Sequence, residues 1–124
     1  MTVLVVDDDT WVREYSRDLL EESGYGVHEV SDGEAALAEV QKTMPECIVL
    51  DLVMPGLSGF DTLRQLRKQH ANLPPVLVLT SMSGNATRAY ATTVNKADAY
   101  LVKSDIDDPD TGLVAQVRRL TRSR

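Results

Sequence analysis

The amino-acid sequence predicts an α/β protein with a doubly wound parallel sheet of five strands and helices on both faces. Five short apolar runs rich in β-branched residues recur along the 124 residues, and a segment with helical signals follows each run. The runs are continuously apolar instead of alternating, which is typical of strands that are buried on both faces. The predicted strands are residues 3–6, 27–30, 47–52, 76–80 and 99–102.

The first two helical segments have a recognisable face or start signal. The segment 10–23 has one apolar face and ends before Gly24. That face contains Trp11, Tyr15, Leu19 and Leu20. Ser31 and Glu34 have the spacing of a capping box, which predicts a second helix over residues 35–42.

The other three helical segments differ in the strength of their signals. Ser58 and Asp61 form a weaker capping box ahead of the segment 60–70. The segment 85–94 is rich in alanine and threonine, and it is the weakest helix in the pattern. The last helix is predicted over residues 109–121, because it begins with a proline, which suits a first helical turn.

The predicted order of the strands brings several polar residues to one edge of the sheet. Right-handed crossovers between five strands favour the flavodoxin-like (βα)5 order 2-1-3-4-5, in which ligands bind beyond the carboxyl ends of the strands. The residues at these ends are Asp7 and Asp8 after the first strand, Asp51 after the third, Thr80 and Ser81 at the end of the fourth, and Lys103 after the fifth. The second strand contributes nothing obvious.

Length, charge and cysteine content narrow the class of protein. A chain of 124 residues is too short for two ordinary domains, so we expect a single domain over residues 1–124 without an output domain. The net charge of −6 argues against generic nucleic-acid binding. The single cysteine, Cys47, fits a reducing compartment, and no apolar stretch has membrane-spanning length. We expect a cytoplasmic protein that binds neither nucleic acid nor membranes.

The carboxylates at the edge of the sheet need positive charge close by. Two like charges about 4 Å apart repel by about 4 kcal/mol at an effective dielectric constant of about 20. Lys103 can supply one positive charge, and a hard divalent cation with oxygen ligands can supply two more. Mg²⁺, or Mn²⁺ in its place, suits such a site, whereas zinc would require histidine or cysteine ligands. The acidic loop would repel a nucleotide phosphate, which argues against a flavin or nucleotide cofactor.

Asp51 has the position of a nucleophile at this edge. A carboxylate can attack phosphorus and form an acyl phosphate, while a metal and Lys103 neutralise charge on the phosphoryl oxygens. The Thr80 hydroxyl can then hydrogen-bond the new phosphoryl group. Taken singly, these residues are more often an aspartate in a turn, a threonine that closes a strand and a solvated lysine. Their combination at one edge favours the phosphoryl site.

Four segments resemble the signature segments of the response-regulator receiver domain, the CheY-like superfamily of two-component signalling. They are "VLVVDDD", "IVLDLVMPGLSGFD", "VLVLTS" and "AYLVKS". The resemblance implies that Asp51 accepts the phosphoryl group and that a metal ion is bound by Asp7, Asp8, Asp51 and the backbone carbonyl of Val53. It also implies that Thr80, Ser81 and Lys103 bind the phosphoryl group and take part in the switch. Tyr100 would swing inward when the switch operates.

The resemblance also implies partners and a reaction. The implied phosphodonor is a histidine kinase or a histidine phosphotransfer protein, and the implied output is a surface that binds an unknown downstream protein. The chain would then be a monomer or a phosphorylation-dependent dimer. It would catalyse only its own phosphorylation and slow dephosphorylation, and it would not be an enzyme acting on other substrates.

Several residues depart from the pattern of the resembled family. Ser104 replaces the proline that usually follows the lysine, so we expect a trans bond there and a differently shaped loop. Asn95 is a better candidate than Lys96 for a left-handed helix cap. Val53 and Met82 occupy the two positions that border the path of attacking water in this family. Because both are apolar, we predict slow loss of the phosphoryl group.

Two other functions remain open from the sequence. A phosphohydrolase with an aspartyl-phosphate intermediate would need a second aspartate two residues after the nucleophile, where this chain has Val53. A receiver-like interaction module that no longer accepts phosphate is compatible with Ser104, although the intact acidic set and Lys103 argue against it. Accumulation of a phosphorylated protein would distinguish the receiver from both.

Overall fold

A computed structural model describes residues 1–122 of the chain. Its centre is a parallel five-stranded sheet in the order β2-β1-β3-β4-β5, which confirms the predicted topology. The strands are β1 (Thr2–Val6), β2 (Gly26–Val30), β3 (Cys47–Leu50), β4 (Val76–Thr80) and β5 (Ala99–Val102). The helices are α1 (Thr10–Glu22), α2 (Gly33–Lys42), α3 (Gly59–Gln69), α4 (Asn85–Ala89) and α5 (Leu113–Arg122).

The central strands of the sheet are buried on both faces, because their successive side chains point in opposite directions and helices cover both sides. The edge strand β2 is less buried, and its His28 is exposed. Val3 and Val5 of β1 belong to one core layer, which α1 and α5 cover. Leu4 and Val6 belong to the opposite layer, which α2 and α3 cover. Every residue of β3 and β4 is buried, as their uninterrupted apolar sequences predict. Complete burial of one such side chain stabilises the fold by about 1.5–3 kcal/mol.

The starts of α2 and α3 test the two predicted capping boxes. The box of Ser31 and Glu34 is wrong: Asp32 is the cap, and its side chain accepts a hydrogen bond from the backbone N–H of Ala35 at 2.7 Å. Asp32 competes for the same role one residue later in the chain, and its carboxylate is an equally good acceptor. The cap at Ser58 is confirmed, since its hydroxyl accepts a hydrogen bond from the N–H of Asp61.

The strand and helix ends near the site also differ from prediction. β3 ends at Leu50, so Asp51 is the first loop residue after the strand. The buried face of α1 contains Val12, Ser16 and Leu20, whereas Trp11 is exposed. α5 begins at Leu113 instead of at residue 109. The reason is a turn in which the Asp108 side chain accepts hydrogen bonds from two backbone N–H groups, those of Asp110 and Thr111.

The fourth helical segment is short, as its weak sequence signals indicate. α4 has no buried residue and continues into a π-helical turn, Tyr90–Val94. The left-handed residue after it is Lys96, with φ of 61°, so the prediction of Asn95 is wrong. Asn95 adopts a right-handed conformation because its backbone N–H and its side-chain amide both donate hydrogen bonds to the carbonyl of Tyr90.

The chain after β5 enters a 3₁₀ turn, Lys103–Asp105. Residues 1–122 contain no cis peptide bond, so the bond between Lys103 and Ser104 is trans, as predicted. None of the helices in this part of the chain combines the length and the apolar character needed to cross a membrane.

Candidate functional site

Three carboxylates meet at the carboxyl edge of the sheet because β1 and β3 are neighbours. Val6 pairs with Leu50, so Asp7 and Asp51 leave adjacent strands at the same level. Asp7 is 1% exposed and Asp51 is 4% exposed, whereas Asp8 is exposed. One carboxylate oxygen from each of Asp7, Asp8 and Asp51 lies within 4.8 Å of the other two. The predicted proximity of these three side chains is therefore confirmed.

Lys103 supplies positive charge to the two buried carboxylates. Its Nζ atom lies 2.9 Å from Oδ2 of Asp7 and 3.4 Å from Oδ2 of Asp51. Burial alone would lower the pKa of Lys103, but the hydrogen bond to Asp7 and the charge of Asp51 outweigh burial and raise this pKa. Lys103 is therefore a permanent cation between the two carboxylates.

The ionised form of Asp51 is destabilised despite its contact with Lys103. Its burial, together with the charge of Asp7, raises the pKa of Asp51 from 3.8 to about 6, against the opposing effect of Lys103. The backbone N–H of Val53 donates a long hydrogen bond, 3.5 Å, to Oδ1 of Asp51. A carboxylate with this pKa is ionised at neutral pH. Its negative charge is only partly balanced by Lys103, so it can still attract a cation.

Gly59 holds the backbone after Asp51 close to the start of α3. Its N–H donates a hydrogen bond to the carbonyl of Leu52 at 2.9 Å. A Cβ atom at this position would overlap the backbone carbonyl of Asp51. Only glycine allows this approach, so α3 begins against the loop that carries Asp51.

A chain of hydrogen bonds runs from the end of β4 to β5. Thr80 is buried, and its hydroxyl accepts a hydrogen bond from the N–H of Met82 at 3.2 Å. The carbonyl of Met82 accepts a hydrogen bond from the hydroxyl of the buried Tyr100 at 2.7 Å. The guanidinium of Arg88 lies 4.8 Å from the centre of the Tyr100 ring, a cation–π contact. Ser81, between Thr80 and Met82, is exposed.

Val53 and Met82 present apolar side chains to solvent on the loops after β3 and β4. Val53 is 62% exposed and Met82 is 41% exposed. Each lies two residues beyond a site residue, Val53 after Asp51 and Met82 after Thr80. Neither side chain can donate a proton to water or accept one from it.

The donor set fits a hard divalent cation. The cluster consists of the carboxylates of Asp7, Asp8 and Asp51, and neither histidine nor cysteine joins it in the described part of the chain. Oxygen ligands with an exposed side, here at Asp8, suit Mg²⁺, which retains several water ligands. Asp7 and Asp51 are the two buried carboxylates, and the raised pKa of Asp51 shows that their negative charge is not fully balanced. A divalent cation would neutralise this charge.

Two groups that hold the acidic loop are absent from the predicted set of site residues. The N–H of Asp9 donates a hydrogen bond to Oδ1 of Asp7 at 2.9 Å, and the Asp9 side chain caps α1. Arg13 of α1 donates a hydrogen bond from Nη1 to the backbone carbonyl of Asp7 at 2.7 Å. An aspartate just before a helix is a readable cap signal, but nothing in the pattern indicates the target of Arg13.

The second strand also contributes to this edge, which corrects the prediction that it supplies nothing obvious. The carbonyl of Val30 accepts a hydrogen bond from the N–H of Asp7 at 3.2 Å. The carboxylate of Glu29 lies 3.6 Å from Nε of Arg13. β2 therefore supports the acidic loop through its backbone and through Arg13.

Comparisons with known proteins agree with this fold. The family model described as "Response regulator receiver domain" matches residues 3–110. The response regulator MprA of Mycobacterium leprae (strain TN) is 39% identical over 122 residues, which are 98% of this chain and 51% of MprA. The chain thus spans about half the length of the curated relatives it matches.

Solved structures give the same result. The receiver domain of a Francisella response regulator has a TM-score of 0.87 and 31% identity, and the match covers 98% of this chain and 97% of that one. Thermotoga maritima response regulator TrrA, solved in complex with Mg(2+)-BeF, has a TM-score of 0.80 and 30% identity, covering 96% and 97%. The chain belongs to the response-regulator receiver domain family.

Proposed function

We propose that this receiver domain accepts a phosphoryl group on Asp51 in a Mg²⁺-dependent reaction and that the modified domain switches a partner-binding surface. The observation that carries the proposal is the position of Asp51, a nearly buried carboxylate beside Asp7 and Asp8 and 3.4 Å from Lys103. The proposed phosphodonor is a histidine kinase or a histidine phosphotransfer protein, which fits membership of the receiver family.

In the forward step, a carboxylate oxygen of Asp51 attacks the phosphorus of a phosphohistidine. The new O–P bond forms as the N–P bond breaks, and the donor imidazole leaves with the electron pair and takes up a proton. Asp51 must be ionised to attack, which its pKa of about 6 allows at neutral pH. Lys103 balances the charge that the phosphoryl group brings to the site.

Mg²⁺ held by Asp7, Asp8, Asp51 and the backbone carbonyl of Val53 would supply further positive charge to the phosphoryl oxygens, and Mn²⁺ offers the same oxygen-ligand chemistry. Lys103 already contacts both Asp7 and Asp51, so it must share these carboxylates with the cation. The exposed Asp8 offers a carboxylate on the solvent side of the cluster, where the cation and the phosphodonor would enter.

The proposed switch begins at Thr80. Its hydroxyl now accepts a hydrogen bond from Met82, and a phosphoryl group on Asp51 offers the same hydroxyl a strong acceptor. A turn of Thr80 toward this acceptor would release the N–H of Met82, whose carbonyl holds the hydroxyl of Tyr100. The change would reach α4, which has no buried side chain of its own, through Arg88 over the Tyr100 ring. The downstream protein would recognise this altered surface.

The closing step of the cycle is hydrolysis of the acyl phosphate. A water molecule attacks phosphorus, the O–P bond to Asp51 breaks, and the carboxylate is regenerated with inorganic phosphate as product. The side chains of Val53 and Met82 offer this water no hydrogen-bond donor and no strong acceptor. We therefore propose that the phosphorylated domain loses its phosphoryl group slowly.

Intact mass spectrometry tests the proposed function. The protein is incubated with acetyl phosphate, with Mg²⁺ or with a chelator, and the wild type is compared with Asp51→Asn. The proposal expects one phosphoryl adduct in the wild type with Mg²⁺ and none in the other three samples. The absence of an adduct in every sample would support an interaction module that does not accept phosphate. Multiple turnover of a phosphorylated substrate without accumulation of an adduct would support a phosphohydrolase.

A further inference from the structure

Asp7 is held at four points, of which only the contact with Lys103 takes part in the proposed phosphotransfer. Its N–H donates to the carbonyl of Val30, its Oδ1 accepts from the N–H of Asp9, and its Oδ2 contacts Lys103. The fourth point is the backbone carbonyl, which accepts a 2.7 Å hydrogen bond from Nη1 of Arg13. This carbonyl belongs to the peptide group that joins Asp7 to Asp8, so its direction affects both carboxylates.

The guanidinium of Arg13 also contacts Glu29 and Thr10. Its Nε atom lies 3.6 Å from Oε1 of Glu29, and its Nη2 atom lies 3.5 Å from the hydroxyl of Thr10. The side chains of Arg13 and Glu29 are both only 17% exposed. Because the guanidinium is planar and its donors diverge at fixed angles, Glu29 orients the Nη1 donor toward Asp7.

We infer that Arg13, oriented by Glu29, is a positioning residue for the metal site. It holds the peptide between Asp7 and Asp8 in the direction that presents both carboxylates to one cation. The inference rests on the proposed function, since it concerns the Mg²⁺ that phosphotransfer to Asp51 requires. It extends the functional site to β2, the strand whose sequence gives no sign of a contribution.

Arg17 provides a matched control one turn further along α1. It also pairs with Glu29, and its other partner is Glu21, 3.4 Å away. Its side chain is 45% exposed, so it contributes less to local order than Arg13 does. Arg17→Ala therefore removes the same charge as Arg13→Ala and, like it, takes one of the two arginine partners from Glu29, but it leaves the hydrogen bond to the Asp7 carbonyl in place.

The experiment measures Mg²⁺ binding to the whole chain by isothermal titration calorimetry, with the fluorescence of Trp11, the single tryptophan, as a second probe. We expect Arg13→Ala to weaken Mg²⁺ affinity by about 10-fold, the usual effect of removing a partner that orients metal ligands. Arg17→Ala should change the affinity by less than about 2-fold, as for an exposed ion pair. Arg13→Lys should lie between the wild type and Arg13→Ala, because an ammonium can reach the carbonyl but cannot also engage Glu29.

Glu29→Gln tests the second half of the inference. This substitution removes the charge that orients Arg13. Because Glu29 acts through Arg13, the double variant with Arg13→Ala should bind Mg²⁺ no more weakly than Arg13→Ala alone. Hydrogen exchange of Mg²⁺-free protein supplies a readout that does not depend on metal. The amides of residues 8–12 should exchange faster in Arg13→Ala and Glu29→Gln than in Arg17→Ala.

The outcomes separate this inference from the proposed function. Equal Mg²⁺ affinities for Arg13→Ala and Arg17→Ala, or tighter binding by Arg13→Ala, would overturn the positioning role, because charge alone would then explain the effect. If Arg13→Ala does not fold, the same comparison is made with Arg13→Lys and Glu29→Gln against Arg17→Ala. A wild type that binds Mg²⁺ and forms the Asp51 adduct, with variants that behave alike, would refute only the inference. A wild type with neither property would refute the proposed function.

Discussion

At the scale of single residues, the lifetime of a phosphoryl group on Asp51 depends on the side chains that water meets beside it. Val53 and Met82 are exposed and apolar, so neither can orient or deprotonate an attacking water molecule. Positioned acid–base groups accelerate such steps by about 10²–10⁴-fold in enzymes, although an exposed, flexible side chain achieves much less.

A carboxylate at either position should therefore shorten the lifetime of the phosphorylated protein. We expect Val53→Glu and Met82→Glu each to accelerate loss of the phosphoryl adduct by about 10-fold, which is below the range for a positioned acid–base group because both side chains are exposed and flexible. The adduct is formed with acetyl phosphate and Mg²⁺, the donor is removed, and its decay is followed by intact mass. Val94→Glu is the control, since Val94 is as exposed as Val53 but lies in the π-helical turn. Equal decay in all three variants would remove Val53 and Met82 as determinants of the lifetime.

The residues of the site could be predicted to different degrees. Asp7, Asp51 and Lys103 could be grouped from sequence because each directly follows a strand, and the strand order then determines their neighbours. Arg13 could not, because a long side chain on a helix can reach many targets. Its target is the backbone carbonyl of Asp7, which leaves no mark in the sequence.

At the scale of elements, α3 is attached to the loop that carries Asp51 through Gly59. The helix starts where a side chain would overlap the backbone carbonyl of Asp51, so an alanine here must displace either the loop or the helix. A backbone carbonyl in a short loop cannot rotate away as the end of a flexible side chain can. The strain is therefore shared between the position of Asp51 and the start of α3.

We expect Gly59→Ala to lower the free energy of unfolding by about 1–3 kcal/mol, the usual cost of overpacking, even though alanine is the better helix former. Urea denaturation measures this loss, and the rate of Asp51 phosphorylation by acetyl phosphate should fall in the same variant. Gly26→Ala is the matched control, because a Cβ there would lie 3.7 Å from the Thr2 hydroxyl, an ordinary contact. If Gly59→Ala were as stable and as reactive as Gly26→Ala, the close approach would not constrain Asp51.

Strands could be predicted from the sequence more accurately than helix ends. The strands β1, β3, β4 and β5 were predictable because burial on both faces demands uninterrupted apolar residues, and few other structures do. β2 is an edge strand with an exposed His28, so it was predictable only from its two valines. Helix ends were less predictable, because neighbouring residues compete to cap them. Asp32 displaced Ser31, and Asp108 formed a turn that delayed α5. Lys96 became left-handed because the Asn95 amide was already committed to Tyr90.

At the scale of the whole molecule, the buried carboxylate of Asp51 lowers the stability of the fold, although the proposed function requires it. Among the described acidic groups, Asp51 has its pKa raised to about 6 by burial and by Asp7, from 3.8. A folded-state pKa above the unfolded value means that the folded protein binds more protons between these two values. The contribution of Asp51 to stability therefore decreases as pH rises from about 4 to about 6 and stays low above this window.

Asp51→Asn should remove this destabilisation when no divalent cation is present. In buffer with a chelator we expect the variant to exceed the wild type in free energy of unfolding by up to about 3 kcal/mol at pH 7.5, since one pKa unit corresponds to about 1.36 kcal/mol. Lys103 keeps a partner in the variant, because Asp7 lies 2.9 Å from its Nζ atom. The difference should shrink toward zero as the pH falls from about 6 to about 4, as measured by urea denaturation at each pH.

Asp61→Asn gives the opposite control for this prediction. Asp61 is an exposed carboxylate whose pKa is lowered by its hydrogen bond to Arg64, so its contribution is present above the unfolded pKa and is lost only as the pH falls further. Asp61→Asn should therefore gain no stability between pH 4 and pH 8. Addition of Mg²⁺ should stabilise the wild type more than Asp51→Asn, because the cation offsets the repulsion that the substitution has already removed. A stability difference between Asp51→Asn and the wild type that does not change with pH would show that the substitution acts through packing and not through the buried charge.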